Sequence, residues 1–135
     1  MTTKQKFILY VDDDEDDREL LSDAIKSANP DVDVMLAENG LLALERLKSL
    51  KEAEQRLPCL IVLDINMPFM DGKETFERLR QDAVLGLLPV IVFSSSEKPQ
   101  DKALFNNLGI DYFTKPSDIK YMSQIVNHMI SKCCI

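Results

Sequence analysis

Four apolar runs of this chain end on residues able to do chemistry. Asp12 and Asp13 follow residues 7–11, Asp64 follows residues 60–63, Ser94 follows residues 90–93, and Lys115 follows residues 111–114. In an open parallel α/β sheet the carboxyl ends of the strands line one edge, and ligands bind there. Three carboxylates, a hydroxyl and an ammonium gathered at such an edge suit a divalent cation and a phosphoryl group. Oxygen donors in small number suit Mg²⁺, which keeps several waters, and Mn²⁺ would suit the same ligands. Carboxylates held close together repel and raise one another's pKa unless a cation intervenes. A carboxylate such as Asp64 can attack phosphorus to give an acyl phosphate. Ser94 can hydrogen-bond a phosphoryl oxygen, and Lys115 can neutralise phosphate charge.

Each of these residues also has an ordinary structural reading. Seven of the eight residues from Asp12 to Glu19 are acidic, and acids near a helix start are favoured by the macrodipole. That accounts for Asp14, Glu15, Asp16 and Asp17. It accounts less well for Asp12 and Asp13, which abut a strand end. Asp64 could cap a strand-to-helix loop shaped by Pro68 and Asp71-Gly72. Ser94-Ser95-Ser96 could be a plain turn, and Lys115 a surface lysine. Pro116 is structural, with a cis bond before it left open by the sequence. Tyr112 is either half-buried strand or a ring that moves between two positions. His128 is a surface or boundary residue on the last helix. The joint order at four strand ends carries the chemistry, not any one residue.

Alternating elements must position these groups. Residues 7–11 read as a buried strand. Leu20, Leu21, Ala24, Ile25 and Ala28 then form a helical stripe, stopped by Asn29-Pro30. Val32, Val34 and Leu36 alternate as a strand, and Asn39-Gly40 turns the chain. Leu41, Leu44, Leu47 and Leu50 mark a second helix running on toward Arg56. Residues 59–64 are the third strand. Asp71-Gly72 opens a third helix with Phe76 and Leu79. Residues 90–94 are the fourth strand. A helix over residues 98–108 turns Ala103, Leu104, Phe105 and Leu108 inward, and Gly109 ends it. Residues 111–114 form a short fifth strand. The last helix starts near Ser117-Asp118 with the stripe Ile119, Met122, Ile125, Val126, Met129 and Ile130. Five βα units with continuous apolar strands predict a parallel sheet buried on both faces.

At 135 residues with 45% apolar content, the chain has material for one core. A net charge of −7 argues against general nucleic-acid affinity. No apolar run approaches the roughly 20 residues that span a bilayer. The start, Met1-Thr2-Thr3-Lys4-Gln5-Lys6, lacks the features of a secretory signal. Cys59 reads as a small buried hydrophobe, with Cys133 and Cys134 at a frayed C-terminus. An odd cysteine count without repeated spacing argues against a disulfide framework and for a reducing cytosol. After Lys115 only one helix remains, so no output module is expected.

Four stretches carry a resemblance. Ile8-Leu9-Tyr10-Val11-Asp12-Asp13, Val62-Leu63-Asp64-Ile65-Asn66-Met67-Pro68-Phe69-Met70-Asp71-Gly72, Pro89-Val90-Ile91-Val92-Phe93-Ser94 and Tyr112-Phe113-Thr114-Lys115-Pro116 together resemble the receiver domain of two-component response regulators. The likeness covers nearly the whole chain, from about Lys6 to Ser131. It is similar to stand-alone receivers such as the chemotaxis regulator and some phytochrome-linked regulators. The resemblance implies a flavodoxin-like (βα)5 fold, a doubly wound parallel five-stranded sheet of order 2-1-3-4-5. It implies one receiver domain over residues 1–135, located in the cytoplasm.

The resemblance also makes Asp64 the phosphoacceptor. Asp13 and Asp64 would bind Mg²⁺ directly, with the backbone carbonyl of Asn66 as third protein ligand, and Asp12 would act mainly through metal-bound water. Lys115 and Ser94 would contact the phosphoryl group, and Tyr112 would be the switch aromatic. The implied partners are a sensor histidine kinase or histidine-phosphotransfer protein and a downstream protein. The latter would read the surface of the fourth helix, fifth strand and fifth helix, on a monomer or weak homodimer. Ser95 and Ile110 stand where the family commonly has Ala. Asn66 and Ser96 hold positions that in this family affect how fast the phosphoryl group is lost. Two other readings compete: a phosphatase of the haloacid-dehalogenase type built on Asp12-Asp13-Asp14, and a degenerate receiver that binds a partner without phosphorylation.

Overall fold

In a computed structural model, which describes residues 6–133, five strands and five helices alternate. They are β1 (Lys6–Val11), α1 (Glu15–Ala28), β2 (Val32–Ala37), α2 (Gly40–Glu52), β3 (Leu60–Leu63), α3 (Gly72–Gln81), β4 (Val90–Ser94), α4 (Pro99–Asn107), β5 (Asp111–Thr114) and α5 (Ile119–Cys133). All strand pairs are parallel, in the order β2-β1-β3-β4-β5. This is the expected flavodoxin-like sheet. The residues 1–5, Cys134 and Ile135, and the side chain of Ile119, lie outside the described set.

Side-chain caps start three helices. Asp14 accepts from the Asp17 amide, Asn39 from Leu42 and Asp71 from Glu74, each satisfying a donor left open in a first helical turn. Helix α4 instead begins with Pro99, whose fixed φ suits that position, and Gly109 at φ +75 closes it.

Strand alternation then divides the core in two. Ile8, Tyr10, Val62, Ile91 and Phe93 face Leu21 and Ile25 of α1 and Met122, Val126 and Met129 of α5. Leu9, Val11, Ile61, Leu63 and Val92 face Ala43, Leu44 and Leu47 of α2, Phe76 and Leu79 of α3, and Phe105 of α4. Each such aliphatic side chain taken from water contributes about 1.5–3 kcal/mol.

Several expectations need correction. Leu20 and Ala28 point outward, so α1 docks on a narrower stripe of Leu21 and Ile25. Leu41 is exposed, and Ala43 takes the inner position because α2 must approach the sheet closely. Helix α2 stops at Glu52 rather than running toward Arg56, and Glu54 reverses the chain at φ +55. On α4, Ala103, Leu104 and Leu108 are exposed, leaving Phe105 and Asp101 as the buried contacts. There is no cis peptide among the described residues, so the Lys115–Pro116 bond is trans.

The cysteines also differ from expectation. Cys133 is buried on the last turn of α5, and its sulfur is bonded to that of Cys59, with the Cα atoms 4.9 Å apart. That separation lies in the ordinary disulfide range. Spacing along the chain could not show it, because the pair is 74 residues apart.

Candidate acceptor site at the carboxyl edge of the sheet

The sheet ladder extends one residue beyond the strands and so fixes the site's backbone. The Asp12 amide donates to the Ala37 carbonyl (3.1 Å), Asp64 to Val11 (3.0 Å) and Lys115 to Ser94 (2.9 Å). Asp12, Asp64 and Ser94 are buried, while Asp13 is exposed. Carboxylate oxygens of Asp12, Asp13 and Asp64 all lie within 4.8 Å of one another. With Asp12 and Asp64 taken out of water, such a group is costly unless a cation joins it. Oxygen-only donors at this spacing fit a hard divalent ion.

Lys115 currently supplies part of that charge. Its Nζ is 2.7 Å from Asp12 Oδ2, 2.7 Å from Asp17 Oδ2 and 3.3 Å from Asp64 Oδ2. Burial pulls the ammonium pKa down. Its hydrogen bonds to Asp12 and Asp17 and the field of Asp64 outweigh this, and the net direction is up. For Asp64, burial raises the carboxyl pKa. Lys115 and a hydrogen bond from Ser94 oppose that rise, Asp12 adds to it, and the result is a raised value. Asp12 is further held by the Tyr10 hydroxyl and by the Asp14 amide, which donates to Oδ1 at 2.9 Å. Burial beside Asp12 drives the Tyr10 phenol far up, so it stays a donor.

The loop after β3 fixes the Asp64 carboxylate from its own backbone. Asn66 donates its amide to Asp64 Oδ1 (3.1 Å), and Gly72 donates to the Ile65 carbonyl (3.2 Å). A Cβ at Gly72 would come within 2.5 Å of the Asp64 carbonyl oxygen, so α3 can start this close only with glycine. Phe69 stands almost wholly in solvent at φ +68.

Tyr112 is half-buried. Its hydroxyl donates to the Ser96 carbonyl at 2.8 Å and its ring packs on Phe105 at 6.3 Å. Ser96 in turn donates to Asp101 (2.8 Å), which pairs with Lys73 of α3 (2.7 Å). Ser95 is exposed, and Ile110 is buried in the core beside Phe105. His128 lies away from the site, 2.8 Å from Asp111 and edge-on to Phe113.

All the expected side chains therefore meet at one edge or on the loops beside it. Two contributors escaped the sequence reading. Tyr10 reads as core from its strand, and Asp17 reads as part of a solvated helix start. One signal could have found Asp17: residues 17, 21 and 25 share a helix face, and Leu21 and Ile25 are buried. Asp14 and Asp118 do not join the site. Asp14 caps α1, and Asp118 accepts from Lys120 at the start of α5. The late carboxylate needed for a haloacid-dehalogenase arrangement is thus absent among the described residues.

Residues 8–127 match the family described as "Response regulator receiver domain". Response regulator Rcp1 of Synechocystis sp. is 31% identical over 123 residues, which cover 90% of this chain and 84% of Rcp1. Other curated relatives are longer, and this chain spans 29–42% of four of them. Among solved structures, the phosphorylated cyanobacterial phytochrome response regulator RcpA superposes with a TM-score of 0.81 at 29% identity, covering 93% of this chain and 91% of that one. The Mn²⁺-bound form of Rcp1 superposes with a TM-score of 0.78 at 28% identity, covering 93% and 92%.

Proposed function

This chain belongs to the response regulator receiver domain family, and on that premise we propose that it is a single receiver domain that accepts a phosphoryl group on Asp64 from a phosphohistidine. The donor is a sensor histidine kinase or a histidine-phosphotransfer protein. The observation that carries the reading is the contact of the Lys115 ammonium with Asp64, inside a cluster where carboxylate oxygens of Asp12, Asp13 and Asp64 lie within 4.8 Å of one another.

A divalent cation, Mg²⁺ or Mn²⁺, would be held by Asp13, Asp64 and the Asn66 carbonyl, with Asp12 acting through water. It would supply positive charge beside the transferring phosphoryl oxygens. The Mn²⁺-bound form of Rcp1 supports a divalent ion in this family. Asp64 attacks phosphorus in line, the P–N bond to the donor histidine breaks, and the histidine leaves with the electron pair. Lys115 keeps one donor on Asp12 and turns another toward a phosphoryl oxygen, stabilising charge in a loose transition state. Ser94 shifts its hydroxyl from the Asp64 carboxylate to the phosphoryl oxygen that replaces it.

Switching follows from the same contacts. Ser94 drawn toward phosphate vacates space beside Tyr112, and the ring and the loop carrying Ser96 settle into it. The α4-β5-α5 surface changes, and a downstream protein reads it. Phosphate must favour one arrangement over the other for this to work. The domain is a signalling switch that assists its own phosphorylation and dephosphorylation.

Intact-mass spectrometry after incubation with acetyl phosphate tests the proposal. One Mg²⁺-dependent phosphoryl adduct is expected on the wild type. A folded chain that takes no adduct under rapid quenching would point to a receiver that binds partners without phosphorylation.

A further inference from the structure

Lys115 has three N–H donors, and three carboxylates use them. Asp12 and Asp17 hold the ammonium at 2.7 Å, and Asp64 holds it at 3.3 Å. Asp17 differs from the other two. It reaches in from the first turn of α1, its side chain is about one-third exposed, and it is not part of the three-carboxylate cluster. A divalent ion held in that cluster would offset much of the charge of Asp12 and Asp64. Asp17 keeps its full charge for the lysine.

We propose that Asp17 is a positioning residue that holds Lys115 in reserve, giving the ammonium a resting partner outside the metal cluster and weakening its grip on the phosphoryl group. The inference rests on Asp64 being the phosphoacceptor. Two consequences of opposite sign follow. With a metal bound, the hold of Asp12 and Asp64 on Lys115 would weaken while that of Asp17 does not, so Asp17 favours metal binding. When the phosphoryl group arrives, one of its oxygens must win the ammonium back from Asp17, so Asp17 disfavours the phosphorylated state. Neighbouring charged residues do not share this role. Asp14 is committed to the α1 cap, Asp16 is exposed, and Arg18 is turned to the Asp12 carbonyl at 2.8 Å.

The test uses the whole chain, with Mg²⁺ alone followed by tyrosine fluorescence, then beryllofluoride at saturating Mg²⁺ followed by calorimetry. Asp17→Asn keeps the shape and removes the charge. It is expected to weaken Mg²⁺ about two- to fivefold and to tighten beryllofluoride about three- to tenfold, the range for a partly exposed, charge-assisted pair. Asp16→Asn removes the same charge one residue away and is expected to change both affinities less than about twofold. Asp17→Ser is expected to act in the same direction as Asp17→Asn. In a Lys115→Met background the Asp17→Asn gain should vanish, since a double-mutant cycle isolates the pair.

Unchanged or weaker beryllofluoride binding by folded Asp17→Asn would overturn the proposal. So would an equal gain in Asp16→Asn, or a gain that persists without Lys115. If Asp64→Asn binds beryllofluoride as the wild type does, or the wild type binds none, the phosphoacceptor reading falls first and the role of Asp17 falls with it.

Discussion

The two ends of the sheet are built on opposite terms. At the carboxyl end, Asp12 and Asp64 are buried beside Asp13, Lys115 is drawn among them, and Phe69 sits exposed at a positive φ. At the amino end, the Cys59 amide donates to Phe7 and the Ile61 amide to Pro89, both at 2.9 Å, and Cys59 is bonded to Cys133 of α5. One end carries unfavourable charge ready for a ligand, and the other is closed by backbone pairing and a covalent link. Function and stability are thus separated along the strands. Changes at the carboxyl end should remove function while sparing or raising stability, and changes at the amino end should do the reverse.

The largest effect tests both halves of that claim at once. Asp64→Asn should lose the phosphoryl adduct entirely while making the metal-free fold more stable. The sign follows from the raised pKa of Asp64. The folded state binds this proton more tightly than the unfolded state, so stability is lost as pH rises from the ordinary carboxylate value through the raised one. Above that window the charged Asp64 destabilises the metal-free fold, and the amide removes the penalty. A gain of about 1 kcal/mol is expected in denaturant titration at neutral pH. A loss of stability would show that Lys115 depends on Asp64 more than on Asp12 and Asp17.

The amino end gives the converse. Reducing the Cys59–Cys133 bond, or Cys133→Ser, should lower stability by about 2–4 kcal/mol, because the closed loop is long. The Mg²⁺-dependent adduct should form as before. A reduced protein that melts normally but fails to take phosphoryl would break the separation.

Gly72→Ala sharpens the boundary. It lies at the carboxyl end, yet its Cβ would press on the backbone of Asp64 and Ile65. Stability should fall by about 1–3 kcal/mol and acceptance of phosphoryl should slow with it, a strain effect distinct from the charge effect. Mg²⁺ comes next. At about 100 times its Kd it should stabilise the wild type by about 2.7 kcal/mol, and Asp13→Asn should lose most of that gain.

The smallest effect belongs to neither end. Asp82 is held at about 2 by its bond from Lys51 and by the Leu85 and Val84 amides. Its contribution is present above the ordinary carboxylate pKa of about 3.9 and is lost as pH falls toward 2. Asp82→Asn should flatten the acid limb of the stability curve there and slightly lower stability at neutral pH, where the Asp82 contribution is fully present.

Much of this was legible from residue order. Continuous apolar strands interrupted by caps and glycines give a parallel sheet, and the residues after four strands fall at one edge by topology alone. That is why Asp12, Asp13, Asp64, Ser94 and Lys115 could be placed together. Contacts that depend on helix rotation were harder to read. Leu104 and Leu108 looked like the inner face of α4, but Phe105 and Asp101 fill that place. Asp17 carries the same sign as its exposed neighbours, and only its alignment with Leu21 and Ile25 sets it apart. The Cys59–Cys133 bond depends on where α5 ends against the sheet, which no local pattern encodes.

The central claim, that Asp64 takes the phosphoryl group, is tested most directly by peptide mapping after acetyl phosphate, Mg²⁺ and borohydride. Borohydride reduces an acyl phosphate to the alcohol and marks the acceptor. The account predicts homoserine at position 64 only, and only when both acetyl phosphate and Mg²⁺ were present. Homoserine at 12 or 13, or none at 64 in a protein that carries the adduct, would contradict it.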